Sequence, residues 1–202
     1  MKKARIAVLV SGGGTNLQAL IDAQAAGKIP SGEIVLVVSN RDNAYAAHRA
    51  EKAGIPTRTI ARSKYPDREA RVALLHAALA EFRVDMIVLA GYLGIVQRDT
   101  VELYRDRIIN IHPALIPSFS GMGFYGLHVH EAALERGVKV TGATVHMVTE
   151  DVDGGPILLQ KAVEVQPGDT PEILQRRVME QAEWLILPQA TEMIASNIAK
   201  ER

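Results

Sequence analysis

ARIAVLVSGGGTNLQALIDA, residues 4–23, is the stretch whose reading decides the fold. Residues 6–10 form an unbroken apolar run rich in β-branched side chains, the pattern of a strand buried on both faces of a parallel sheet. SGGGTN at 11–16 halts that run with glycines, and Leu17, Leu20 and Ile21 then fall at helical spacing. Strand, glycine loop and helix make the first half of a β-α-β unit. Similar apolar runs recur at 34–38, 86–89 and 108–111, and Val72, Leu75, Leu79 and Phe82 repeat the helical spacing behind Pro66, a good first-turn residue. This alternation predicts an α/β fold: a Rossmann-like, doubly wound, mostly parallel sheet with right-handed crossovers over residues 1 to about 111.

The texture changes after residue 111. HPALIPSFSGMGFYGLH, 112–128, carries Pro113, Pro117, Gly121, Gly123 and Gly126, which forbid regular structure; loops this long inside compact domains are usually functional or mobile. Residues 138–148 and 157–165 alternate like strands around the turn DVDGGP, 151–156. A helical tract starts near Thr170, with Pro188 expected to kink or split it. With no repeat and no evident linker, the expectation is one domain over 1–202. Its first half, 1–111, would bind phosphate, and 112–202 would be a more irregular half with antiparallel strands and a terminal helix.

A chain of 202 residues can bury roughly 70% of the surface its unfolded form exposes, so it needs no staples. The absence of cysteine excludes disulfides, thiolate zinc sites and a cysteine nucleophile, leaving oxygen and nitrogen groups to do the chemistry. Twenty-three basic residues balance twenty-three acidic ones, which argues against a nucleic-acid partner and favours small-molecule substrates. The first apolar run is too brief for a signal segment, and no stretch approaches the ~20 apolar residues of a membrane span. A cytoplasmic protein without membrane partners, monomeric or homodimeric, is expected.

SGGGTN lies between the first strand and the first helix, where free backbone N–H groups and the helix dipole suit an anion; the alternative is a plain tight turn. A dinucleotide fingerprint fits poorly. Its third glycine would fall at Leu17, and the second strand ends in Ser39 and Asn40 with no acidic ribose ligand. No lysine follows the glycines as in a Walker loop. The expected guest is a monophosphate on a small substrate.

Asn110 and His112 share one face at a strand's C-terminal edge, where open α/β sheets bind ligands. An Asn amide donates to a developing oxyanion, and a His serves as acid or base near neutral pH. DVDGGP offers Asp151 and Asp153; a carboxylate beside the imidazole would raise its pKa, a general-acid arrangement. The plainer alternatives are a structural Asn-x-His and ordinary Asp-Gly-Gly turn chemistry. Among the other histidines, His128 and His130 read as a solvated or capping pair rather than metal ligands, and His48 and His76 as surface residues. His146 is either a support for the site or a satisfied core histidine. Trp184 and Leu185 read as packing, and Ser11 lacks the elbow of a nucleophile.

SGGGTNLQALIDA (11–23), VVSNRDNAYAAHRAEKAGIPT (37–57), VLAGYLGIV (88–96), NIHPALIP (110–117) and DVDGGPILLQ (151–160), in this order and spacing, resemble the phosphoribosylglycinamide formyltransferase family of folate-dependent enzymes over nearly the whole chain. NIHPALIP and DGGP also occur in the methionyl-tRNA and folate-hydrolysing formyltransferases, so those two motifs speak to the chemistry and the glycine loop to the substrate. The resemblance implies formyl transfer from 10-formyltetrahydrofolate, without a metal, to the amine of 5-phosphoribosylglycinamide in de novo purine biosynthesis. It implies Asn110, His112 and Asp153 as catalytic: protonated His112 and the Asn110 amide steady the tetrahedral oxyanion, while Asp153 keeps His112 charged and handles protons. The substrate phosphate would lie on Gly14, Thr15 and Asn16, with a carboxylate of the last helix, Glu183 in preference to Glu180, contacting the ribonucleotide across a one-residue gap in the alignment. Folate would touch Arg68, Leu93, Gly94, Ile95, Val96, Asn110, Thr149, Glu150, Asp151, Val152 and Asp153, with Leu89 and Val101 as pterin walls.

Two features depart from the family. Gly94 stands where it often has a basic residue, which leaves only a backbone contact there, and the loop 118–126 is longer than in some members. The tRNA and folate-hydrolysing siblings would normally carry an extra domain, for which 202 residues leave no room. A phosphate-ligand module without catalysis is the alternative from another class.

Overall fold

The computed structural model describes residues 2–201. Five strands, β1 (Ala4–Val10), β2 (Gly32–Ser39), β3 (Thr57–Thr59), β4 (Met86–Leu89) and β5 (Ile108–His112), pair in parallel, and β6 (Val140–Met147) and β7 (Ile157–Glu164) extend the sheet antiparallel. Their order is β3-β2-β1-β4-β5-β6-β7. The winding therefore reverses between β1 and β4, and the crevice at the carboxyl ends of these strands is where such sheets bind ligands.

Both faces are covered. On one, Leu17 and Leu20 of α1 (Thr15–Ala25) and Ile186 and Leu187 of α7 (Trp184–Lys200) join a core with Ile6, Val8 and Val88. On the other, Leu79 of α3 (Arg68–Glu81) packs with Leu9, Leu36 and Ile87. Continuous apolar strands are explained by this double burial, since every second residue of β1 faces a different layer.

Three further helices complete the layers: α2 (Tyr45–Lys52), which carries His48, α4 (Arg98–Leu103) and α5 (Leu127–Arg136). Pro66 stands just ahead of α3 rather than in its first turn, and Asp67 caps that helix by accepting from the Ala70 N–H at 2.6 Å. The terminal tract is divided, though not at Pro188. α6 (Pro171–Val178) runs into a π-helical turn, Met179–Glu183, and Pro188 lies buried inside α7. A π-turn absorbs one extra residue within a helix; the one-residue gap beside Glu183 falls here.

Gly14 caps α1 with a left-handed φ of 72°, and a Cβ there would stand 2.6 Å from that of Ala46, so α2 closes against the loop only because residue 14 is glycine. No side chain caps α1, which leaves its first N–H groups directed at the crevice.

Candidate active site

Antiparallel pairing of β5 and β6 sets Asn110 opposite His146 and His112 opposite Thr144. Period-two alternation then puts all four side chains on one face. Asn110 Nδ2 lies 3.1 Å from His146 Nε2, and His146 Nδ1 lies 2.8 Å from the Met147 carbonyl oxygen. A carbonyl only accepts, so Nδ1 carries a proton, and Nε2 stands between the Asn110 amide and Asp153 Oδ1. The second Asn110 N–H remains for a ligand.

Asp153 stands between the two histidines, its Oδ2 3.5 Å from His112 Nδ1 and its Oδ1 3.5 Å from His146 Nε2. Oδ2 also accepts from the Gly121 N–H at 2.9 Å. Its backbone is held at φ 55°, a conformation that costs of order 1–3 kcal/mol and collects at functional sites. Behind it Gly155 fits because it has no side chain: a Cβ would meet the Met147 carbonyl oxygen at 1.9 Å. The turn is thereby pressed against β6, which delivers the carboxylate to the imidazoles.

His112 is buried and donates from Nε2 to the Phe119 carbonyl oxygen at 2.7 Å. Burial pushes its pKa down, and although Asp153 and the Phe119 carbonyl raise it, the net direction is downward. This corrects the expectation of a ring held charged by Asp153: in the free protein desolvation outweighs the carboxylate. A proton added to His112 would sit on Nδ1, facing Asp153. For Asp153 itself, burial raises the pKa, but contacts with His146, the Gly121 N–H and His112 overcome it, so its carboxyl titrates below the usual range.

A cavity of about 110 Å³ opens on this group, walled by Leu89, Gly94, Ile95, Val96, Asn110, Thr149, Glu150, Asp151, Val152 and Asp153, and also by Tyr92, His146 and Val148. The Tyr92 ring occupies the space beside Gly94, where a Cβ would lie 2.7 Å from it. Three expected residues are not in this wall. Arg68, exposed at the start of α3, is bonded to Gln97; Leu93 turns outward, 47% exposed, with its N–H engaged by Ser11; Val101 lies half-buried in α4.

At the glycine loop, Asn16 Nδ2 donates to Glu183 Oε2 at 2.5 Å, and Thr15 Oγ1 lies 3.6 Å from Met179 Sδ. Both ends of the π-turn thus meet the loop's polar residues. Glu183 is buried, and burial lifts its pKa to about 7 against the opposing bond from Asn16; Glu180 is exposed. Among the other histidines, His128 is exposed and paired with Glu131 at 2.8 Å, but His130 is fully buried, with burial and the nearby His112 lowering its pKa to about 4. It is neither solvated nor a cap. His76 is half-buried against Thr100 Oγ1 at 2.9 Å rather than free on the surface.

A carboxyl-edge crevice, an uncapped helix start and a clustered Asn–His–Asp group give this α/β fold the form of an enzyme. Comparison with known families matches residues 4–191 to Formyl transferase, and the chain belongs to that family. It is 42% identical over 176 residues to phosphoribosylglycinamide formyltransferase of Escherichia coli (strain K12), a match covering 87% of this chain and 80% of that protein. To the human trifunctional purine biosynthetic protein adenosine-3 it is 46% identical over 96% of this chain, yet the chain spans only 19% of that protein's length. The crystal structure of glycinamide ribonucleotide transformylase 1 from Symbiobacterium toebii superposes with a TM-score of 0.89 at 44% identity, over 96% of this chain and 89% of that one. No helix among the described residues is long and apolar enough to cross a membrane.

Proposed function

We propose that this chain transfers the formyl group of 10-formyltetrahydrofolate to the amine of 5-phosphoribosylglycinamide. The observation that carries the reading is that Asn110 and Asp153, with His112 buried against Asp153, meet at a cavity lined by many of the residues assigned to folate, beside a loop suited to a phosphate. In the reaction the amine nitrogen attacks the formyl carbon, and the free Asn110 N–H donates to the oxyanion that forms. His112, neutral beforehand, takes up on Nδ1 the proton that the attacking amine loses, and the Asp153 carboxylate accepts a hydrogen bond from that N–H. Collapse breaks the bond from the carbon to the folate nitrogen. The proton lost by the amine passes to that nitrogen, with His112 and Asp153 as the relay. Gly14, Thr15 and Asn16 would hold the phosphate, and Glu183 would meet the ribonucleotide.

His146 has a role here: its contact with Asn110 Nδ2 holds the amide in place at the cavity. Mixing the protein with both substrates and following folate absorbance tests the proposal; no turnover at saturation refutes it. A phosphate-binding module without catalysis would instead bind the ribonucleotide and be indifferent to His112→Ala.

A further inference from the structure

Ser11 closes β1 and opens the glycine loop, is only 2% exposed, and has no part in the chemistry above. Its hydroxyl accepts from the Leu93 N–H at 2.8 Å and donates to Asn40 Oδ1 at 2.7 Å. Asn40, which follows β2, neighbours the Tyr92 hydroxyl, and the Tyr92 ring lies against Gly94. Tyr92 and Gly94 are walls of the cavity at Asn110. The backbone ladder between β1 and β4 ends with Ala90 N–H to Leu9 C=O. Beyond it, one buried hydroxyl ties the root of SGGGTN to the segment that shapes the other subsite.

We propose that Ser11 is a positioning residue that couples the ribonucleotide and folate subsites; the proposal rests on the function proposed above. A ligand on the glycine loop restrains Ser11. Ser11 in turn restrains the Leu93 N–H and, through Asn40, Tyr92. The second ligand meets a wall already ordered and loses less conformational entropy on binding. Linkage makes the effect reciprocal, so folate tightens the ribonucleotide by the same factor. A buried hydroxyl that both donates and accepts suits this task, because removing it leaves the Leu93 N–H and the Asn40 carbonyl without that partner.

The test is calorimetric titration of 5-phosphoribosylglycinamide with and without saturating tetrahydrofolate, which carries no formyl group, and the converse titration. Wild type, Ser11→Ala and Asn40→Ala are compared. The expected coupling factor is about five-fold or more in the wild type and within about two-fold of unity in both variants. A merely structural role would weaken each ligand alone and leave the factor unchanged. Hydrogen exchange at the Leu93 amide reads the strut directly: the ribonucleotide should slow it in the wild type and leave it unaffected in Ser11→Ala. Binding of both ligands with no coupling in the wild type, or coupling that survives Ser11→Ala and Asn40→Ala, overturns the inference alone. Failure of either ligand to bind the wild type overturns the proposed function and the coupling with it. Should Ser11→Ala not fold, the milder Asn40→Ala, at a half-buried position, decides.

Discussion

Replacing Glu183 by Gln should make the ligand-free protein more stable as the pH rises. Glu183 is buried, with its pKa lifted from 4.5 to about 7 by desolvation. A carboxyl whose folded pKa is raised contributes its full stability below the unfolded value and loses it as pH climbs toward the folded one. The gap corresponds to about 3 kcal/mol once both states are ionised, of which about 2.5 kcal/mol falls between about pH 5 and about pH 8. Gln keeps the shape and still accepts from Asn16 Nδ2, and its own N–H groups can reach Asn16 Oδ1, which has no partner among the described residues. Urea unfolding of both proteins across this range isolates the effect, because every other titrating group cancels in the difference. The variant should gain about 2.5 kcal/mol on the wild type between the two ends, or about 5–10 °C in Tm for a chain of this size. Parallel pH profiles would refute the reasoning, since they would mean that Glu183 is solvated in the folded protein.

Asp153→Asn should cut turnover about 10²–10⁴-fold with little change in ribonucleotide affinity, as proton handling is lost while the turn, whose positive φ Asn tolerates, survives; near-full turnover would remove Asp153 from the mechanism. The carboxyl of Asp153 is held low, so the stability it adds is present above its unfolded pKa and lost as pH falls through the folded one; Asp153→Asn should flatten the acid limb of a Tm-against-pH curve. Thr15→Ala and Asn16→Ala should weaken ribonucleotide binding more than folate binding in titration, and equal effects would contradict the phosphate assignment. Gly155→Ala, which places a Cβ 1.9 Å from the Met147 carbonyl oxygen, should displace the DVDGGP turn and lower both Tm and turnover, whereas Gly12→Ala, with open space around it, should leave Tm unchanged.

The parallel half was legible because its rule is local. Strands buried on both faces must be continuously apolar, and the glycine loop and helix spacing around them are written in consecutive residues. The three-residue β3 carries too little periodicity to register, and nothing in the helical spacing marks the π-turn. Asn110, His112 and Asp153 could be picked out as chemical types at suggestive positions, and the resemblance gave them roles.

Their protonation lay beyond reach. Sequence placed a carboxylate near an imidazole and so anticipated a charged ring, but whether pairing or desolvation wins depends on how deeply β5, β6 and the loop at Phe119 enclose His112. Likewise, only the β5–β6 register sets His146 against Asn110, only the fold lays the Tyr92 ring against Gly94, and only the closure of α6 to α7 on the loop buries Glu183 beside Asn16. The sequence by itself determined the layered α/β sheet, the glycine loop and the cast of reactive groups, because backbone periodicity and side-chain chemistry are properties of neighbouring residues. Tertiary structure alone decided charge state and hydrogen-bond direction, because these follow from the solvent and dipoles that distant segments remove or supply.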